Sequence, residues 1–348
     1  MCVWSAFVGR KNAAAEVWKT GTAIEGFWSG FYTGIATVDA NGIHSKKCCG
    51  YSKHWLEKFD LKDFPGETAL FHSRTNSGGD DAWGHPFVGT ANKVAIVSQG
   101  NDGVFPDMTP WANLGNELVA NGKVFAARAY DVPLKRYPIL SDGAKVHTAE
   151  IIAQSVEYFY EQTGDAIKSI REMWSRVHEE AVTLFLFHDQ PGKIYFINMN
   201  QSAAVYFTPE GAYASSSRMA FGLPLVKHTE LPLNSVGYFT ADGLYTETLP
   251  DPGFPILDRI PDGVVSAALK FLASNPNSTM AQITDQGFGH LFPASGIRLR
   301  AVTAHRLIET LSAEGWISSC NEEVEGPCGT KGLVTKFSLT EKFSEMFS

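Results

Sequence analysis

Three places in this chain carry residue types suited to chemistry: Cys2, Arg74 at the end of one apolar run, and Gln99-Gly100 at the end of another. Once Met1 is removed, Cys2 bears a free α-amine, a group that titrates at roughly 7.7–8.0. That amine would take the thiol proton and return it to a leaving amine, so one residue would supply both nucleophile and base. A thiolate attacking an amide carbonyl needs donors for the oxyanion. A substrate that carries a carboxylate calls for a guanidinium fork. In Leu70-Phe-His-Ser-Arg-Thr-Asn-Ser-Gly-Gly79 the arginine stands just beyond an apolar strand and small polar residues follow it. Ala95-Ile-Val-Ser-Gln-Gly100 is a second strand that ends in an amide side chain and a glycine.

The elements that position these residues read as short strands mixed with helices. Trp4–Val8, Thr33–Val38, Ala69–Ser73, Val94–Ser98, Val124–Ala127, Val182–His188, Ile194–Asn198, Ala204–Phe207 and Val236–Thr240 are β-branched or aromatic runs bounded by Gly, Asp or Asn. Asp39-Ala-Asn-Gly42, Asp189-Gln-Pro-Gly192, Pro209-Glu-Gly211 and Ala241-Asp-Gly243 read as hairpin turns. Helices are expected over 109–121, 149–162 and 165–179; in the last two, Ile151, Ile152, Val156 and Phe159, then Ile167, Ile170, Met173, Trp174 and Val177, recur at helical spacing. Hairpins interleaved with helices imply antiparallel sheets covered by helices, an α+β arrangement.

Residues 249–261 hold four prolines in thirteen positions and read as a linker or surface strap. They divide the chain into a segment 1–248 and a tail 262–348. In the tail a helix over Gly263–Ala273, a short helix capped by Ser278 or Thr279, a Gly/Pro loop and a helix over Arg298–Ala313 precede two strands, Trp316–Ser319 and Leu333–Leu339. Three helices and a two-stranded wing outline a small winged helix-turn-helix.

Composition narrows the function classes. The 348 residues are 44% hydrophobic and 19% charged, with 23 Phe, 11 Tyr and 8 Trp, which implies well-packed cores. A net charge of -8 argues against a polyanion-binding protein as a whole. There is no secretory pattern and no apolar run of membrane-spanning length. The five cysteines are expected to be reduced thiols in a cytoplasmic protein, and neither Cys48-Cys49 nor the pair Cys320/Cys328 has the partners of a zinc site. No phosphate-cradling Gly-rich loop is present, so no metal or cofactor is expected.

The order of motifs resembles the class II glutamine amidotransferases. Those domains begin Met-Cys-Gly-Ile, carry His-Thr-Arg-Trp-Ala-Thr-His-Gly, then His-Pro, then a strand ending His-Asn-Gly. This chain reads Met1-Cys2-Val3-Trp4, then His72-Ser73-Arg74-Thr75-Asn76-Ser77-Gly78-Gly79, then His85-Pro86, then Ser98-Gln99-Gly100. Ala212-Tyr-Ala-Ser-Ser-Ser-Arg218 resembles a later strand and turn of the family, so the likeness covers about 1–245. It implies a four-layer αββα N-terminal-nucleophile hydrolase sandwich. It implies Cys2 as nucleophile, Arg74 as the grip on the substrate carboxylate, Gln99 and Gly100 as the oxyanion hole, and Thr75, Ser77 and His85 around the substrate.

The departures are specific. The family's oxyanion asparagine is Gln99, one methylene longer, with Asn101 as a nearby substitute. The family's ammonium-binding aspartate falls on Thr148, and Asp142 or Glu150 would have to replace it. His72 and His85 also read simply as core histidines. The substrate is then glutamine or a related γ-glutamyl or amide compound. The tail is too short for a synthase domain, so ammonia would pass to a separate acceptor enzyme. A different class of function is also open: a catalytically degenerate amide sensor whose tail binds DNA or a partner protein. Arg298, Arg300, His305 and Arg306 would face phosphates or bases. Yet 258–348 holds eight Lys/Arg against ten Asp/Glu, and Asn321-Glu-Glu-Val-Glu325 puts acid on the wing, which disfavours nucleic acid.

Overall fold

The computed structural model describes residues 2–101, 107–130, 137–250, 261–292 and 299–343. The Pro-rich strap is therefore outside the described residues over 251–260, as are Pro293, Gly296 and Arg298 of the tail loop.

Two antiparallel sheets lie face to face. One joins β1 (Val3–Gly9), β2 (Tyr32–Asp39), β3 (Gly42–Cys49), β4 (Thr68–Arg74), β11 (Ala204–Thr208), β12 (Gly211–Ser215) and β13 (Thr229–Glu230), in the order β13-β11-β12-β1-β4-β2-β3. The other joins β5 (Phe87–Val88), β6 (Val94–Asn101), β9 (Glu180–Phe187), β10 (Ile194–Asn198), β14 (Ser235–Phe239) and β15 (Leu244–Thr248), in the order β15-β14-β10-β9-β6-β5. Trp4, Ala6 and Val8 of β1, Leu70 of β4, Ala95 and Val97 of β6 and Val182 and Leu184 of β9 form the core between them. The period-2 alternation of a strand sends the remaining residues outward. Phe7, Ile35, Ala69 and Phe71 pack under α1 (Ala13–Thr22) and α2 (Ser52–Lys58). Ile96, Phe185 and Ile197 pack under α3 (Thr109–Ala120), α4 (Thr148–Thr163) and α5 (Ala166–Arg176). The result is the expected αββα sandwich. The four expected turns each close a hairpin, β2–β3, β9–β10, β11–β12 and β14–β15.

One expected strand is absent. Val124–Ala127 is irregular, and a two-residue pair, β7 (Arg128–Ala129) with β8 (Lys145–Val146), follows it. The backbone N–H groups of Ala126 and Ala127 donate to the carboxylate of Glu150, at 2.7 and 2.8 Å, rather than to a neighbouring strand.

The tail forms α6 (Val264–Ser274), β16 (Ser278–Thr279), α7 (Met280–Gln282), a π-helical turn over Ile283–Phe288, α8 (Leu299–Ala313), β17 (Ile317–Glu325) and β18 (Lys331–Leu339). Thr279 and Gln282 make a reciprocal capping box at α7. This is the winged-helix outline. Its core is continuous with the sandwich, because Val3, Ile24, Phe27 and Ala220 share a cluster with Leu272, Leu307, Ile308 and Phe337.

The wing lies against the sandwich. Leu333 N–H donates to Gly30 and Thr335 N–H to Gly26, at 2.9 and 3.0 Å. The approach requires glycine: a Cβ on Gly30 would stand 2.0 Å from the Leu333 carbonyl oxygen, and both glycines have positive φ. At the wing tip Cys328 is bonded to Cys49 at the end of β3. The expectation of five reduced thiols is corrected here, since the fold brings together two cysteines 279 residues apart. Cys2, Cys48 and Cys320 are free. Among the described residues no helix is long and apolar enough to cross a membrane.

Candidate active site

The strand ends gather the residues that the sequence singles out. In the β1–β4 ladder Val3 pairs with Ser73 and Trp4 with His72, so one step beyond the last pair Cys2 stands level with Arg74. Trp4 and Leu70 face the space between the sheets, and the alternation of each strand turns Cys2 and Arg74 to that same face. Cys2 is half-buried.

Arg74 is 2% exposed. Its guanidinium donates to the Gly78 carbonyl and the Tyr137 hydroxyl, each at 3.0 Å, and lies 4.8 Å from the ring centre of Tyr32, its cross-strand neighbour. None of the ion pairs among the described residues involves it. A buried guanidinium held by neutral groups keeps the attraction for an anion that a carboxylate partner would otherwise take up. After it, Thr75 and Ser77 share a hydrogen bond of 2.6 Å and begin an exposed loop.

Beside Arg74 lies a cluster of buried rings. His72 and His85 have ring centres 4.0 Å apart, and His85 and His147 5.5 Å apart. His72 Nε2 lies 3.0 Å from the Ser98 carbonyl, and among the described residues both ring nitrogens of His85 lack a partner. Burial, reinforced by the charges of Arg74 and Lys47, pushes His72 down to about 3 and holds His85 and His147 well below the usual range. These imidazoles are neutral, so they serve as walls and hydrogen-bonding groups rather than as cations. Lys47 Nζ donates to the carbonyls of Ala82 and Gly84 at 2.8 and 2.7 Å. Withdrawal from water lowers it to about 8, against the opposing charge of Glu150.

Gln99 is 1% exposed, and among the described residues neither its side-chain oxygen nor its nitrogen has a hydrogen-bond partner. It is on the same face of β6 as Ala95 and Val97, between the sheets. Gly100 pairs with Ala181, and a Cβ there would meet Ala181 Cβ at 2.4 Å and the Glu180 carbonyl at 2.5 Å. Asn101 ends the strand opposite Glu180; its side chain is outside the described residues.

The substitutes for an ammonium-binding carboxylate are engaged elsewhere. Asp142 is exposed and paired with Arg128, and its other oxygen accepts from Ala144 N–H. Glu150 is occupied by Ala126 and Ala127. Thr148 is buried in the first turn of α4, behind the N-cap His147. Tyr32, Tyr137, His147 and Lys47 were not legible as site residues. Tyr32 and Tyr137 meet at Arg74, the His147 ring lies 5.1 Å from that of Tyr137, and Lys47 Nζ lies 4.1 Å from the ring centre of Phe87.

Of the tail residues offered to DNA, Arg298 is outside the described residues, Arg306 is half-buried, and the other two are engaged. His305 is 1% exposed with its ring 6.3 Å from Trp28, and Arg300 pairs with Asp285. Glu309 on α8 accepts from Ser217 Oγ and Arg218 Nε at 2.9 and 2.6 Å, tying the helix to the sandwich. At the wing tip the sulfurs of Cys49 and Cys328 and a carboxylate oxygen of Asp81 lie within 4.8 Å of one another. That is three potential ligands where a structural zinc takes four, and the disulfide leaves no thiolate to bind one.

A cavity of about 350 Å³ opens between Trp28, Phe31, Thr75 and Asn76 of the sandwich and Met280 and Val334 of the tail.

No family model matches this sequence, and no curated protein is similar to it. Solved structures are similar in fold. The glutamine phosphoribosylpyrophosphate amidotransferase from B. subtilis, complexed with ADP and GMP, superposes over 92% of this chain with a TM-score of 0.57 and 14% identity. A structure described as the allosteric regulatory enzyme of purine biosynthesis superposes over 79% with a TM-score of 0.58 and 15% identity. The chain spans 66% and 58% of the length of those two proteins. The likeness is one of fold: this chain shares the fold of those two enzymes over the superposed residues.

Proposed function

We propose that this protein cleaves the side-chain amide of glutamine or of a related γ-glutamyl compound through a thioester on Cys2. Cys2, freed of Met1, attacks the carbonyl carbon, and its α-amine carries the thiol proton to the departing amine. Gln99 Nε2 and the Gly100 N–H stabilise the oxyanion, and Arg74 binds the α-carboxylate. Thr75, Ser77 and His85 border the substrate. Water then hydrolyses the thioester, and ammonia released from glutamine passes to a separate acceptor enzyme.

The observation that carries this reading is Arg74: buried, held by neutral groups, and level with Cys2. The sensor reading draws less support, because Leu307, Ile308 and Leu311 of α8 are in the tail core and its Glu309 is bonded to Ser217 of the sandwich. Intact-mass analysis with and without a glutamine-analogue electrophile tests the proposal. Loss of Met1 and a single adduct on Cys2, competed away by glutamine, are expected. A retained Met1 would exclude the mechanism.

A further inference from the structure

Helix α8 of the tail packs against the sandwich at the start of β1. Ser216 N–H donates to the Trp4 carbonyl at 3.2 Å and Trp4 N–H to Ser216 Oγ at 3.3 Å. The next two residues, through Ser217 Oγ and Arg218 N–H, donate to Glu309 at 2.9 and 3.0 Å. Val3 shares its hydrophobic cluster with Ala304, Leu307 and Ile308. His305 is one helical turn before Glu309, on the same face of α8. Its ring lies 6.3 Å from that of Trp28, and Trp28 shares a cavity wall with Thr75 and Asn76, the two residues beyond Arg74. One turn of α8 is therefore fastened at the level of Trp4, and the turn before it reaches the strand ends, where Cys2 stands level with Arg74.

His305 is a poor choice for packing alone. It is 1% exposed, and among the described residues its Nε2 has no hydrogen-bond partner. An aliphatic side chain would fill the space without leaving a buried polar atom unpaired. Burial, reinforced by the positive charge of the chain N-terminus, lowers the imidazole to about 3, so it is neutral and one ring nitrogen is an acceptor. His72 on β4 feels the same N-terminal charge. The charged side chains at this end have other partners: Arg74 donates to Gly78 and Tyr137, Glu309 pairs with Arg218, and Glu180 of β9 accepts from Asn200.

Building on the amide-cleavage reading, we infer that His305 of the tail is a positioning residue for the nucleophile: once Met1 is removed, its Nε2 accepts a hydrogen bond from the α-amine of Cys2 and holds that amine against the thiol. The imidazole exchanges no proton with the substrate. The α-amine takes the thiol proton as Sγ bonds to the carbonyl carbon, and gives it to the departing nitrogen as the C–N bond breaks. The tail thereby completes the catalytic centre.

The test follows labelling of Cys2 by a glutamine-analogue electrophile, read by intact mass from about pH 5 to 9. It uses the full-length protein and its His305→Leu, His305→Gln and Leu311→Ala variants, with the denaturation midpoint of each. An acceptor favours the ammonium form of the amine, so its removal moves the acidic limb of the profile to lower pH. His305→Leu is expected to shift that limb down by about one pH unit and to slow the maximal labelling rate about 10²-fold, with the half-saturating concentration within about twofold of the parent. His305→Gln, whose side-chain oxygen accepts, restores the limb and at least about tenfold of the rate. Leu311→Ala loosens the same helix, lowers the midpoint and leaves the limb in place. A limb that stays put in His305→Leu, or that moves as far in Leu311→Ala, overturns the inference and leaves the amide-cleavage reading standing. No labelling of Cys2 in the parent overturns both.

Discussion

Arg74 and Tyr32 are cross-strand neighbours on β4 and β2, and the guanidinium lies 4.8 Å from the phenol ring it faces. A cation over an aromatic face is held without being neutralised. The same side chain is oriented by the Gly78 carbonyl and the Tyr137 hydroxyl, which fix its fork but carry no charge. Among the described residues the guanidinium thus keeps its charge without an ion-pair partner.

Substitution of Arg74 by lysine keeps the charge and loses the fork. A bidentate guanidinium–carboxylate pair lost in a buried site costs about 3 kcal/mol, a factor on the order of 100. Arg74→Lys is expected to lower kcat/KM by about that factor, mainly through KM, with circular dichroism unchanged. A KM equal to that of the parent would remove Arg74 from substrate binding.

Gln99 separates activity from stability. Its amide is buried without partners among the described residues, and an unpaired buried amide costs about 1–3 kcal/mol. Gln99→Met keeps the shape and removes that penalty. The variant is expected to unfold at a higher denaturant concentration and to lose about 10²–10³ in kcat. Loss of activity with loss of stability would assign Gln99 a packing role alone.

The bond between Cys49 and Cys328 restrains the wing tip. Cross-links of this kind contribute typically about 2–4 kcal/mol by restricting the unfolded chain. Cys328→Ser, and the parent in reductant, are expected to lose stability by that amount, with faster amide exchange at Leu333 and Thr335. Equal denaturation midpoints with and without reductant would show the bond to be absent in solution.

The pH dependence of folding has a set sign. His72 and His305 are held at about 3, and His85 and His147 well below their ordinary 6.5. Above about pH 6.5 all four are neutral in both folded and unfolded chains. Below it the unfolded chain takes up protons that the folded one refuses, so stability falls as pH drops from about 6.5 towards 3. The loss is up to about 1.4 kcal/mol per pH unit for each histidine. Denaturation at pH 7.5, 6 and 5 should show this slope, and His305→Leu should reduce it by the share of one proton. An unchanged slope would mean that His305 titrates normally in the fold.

Much of the frame was legible because its signals are local. The hairpin turns Asp39–Gly42 and Asp189–Gly192 are short turn sequences that follow apolar strands, and α4 and α5 show their buried faces in the spacing of Ile151, Val156 and Phe159, then Ile170 and Trp174. α1 was missed because its buried face is made of Ala13, Ala14, Val17 and Trp18, with too few large residues to show a period. β3 was missed because Lys46-Lys47-Cys48-Cys49 does not alternate as a half-buried strand does. Val124–Ala127 has strand composition, but Glu150 takes its backbone donors.

The sequence by itself determined the reactive types: a cysteine that can expose its own amine, an arginine and an amide–glycine pair at strand ends, and the likeness in motif order that joined them. Those are properties of single residues and short spans. Only the tertiary structure decided that Cys2 stands level with Arg74, that Asp142 is taken by Arg128, that α8 packs one face into the tail core, and that Cys49 meets Cys328. Each of these depends on which distant segment buries which face, and no local spacing encodes that choice. The packing of the tail against Gly26 and Gly30 is one such choice, made between segments near opposite ends of the chain.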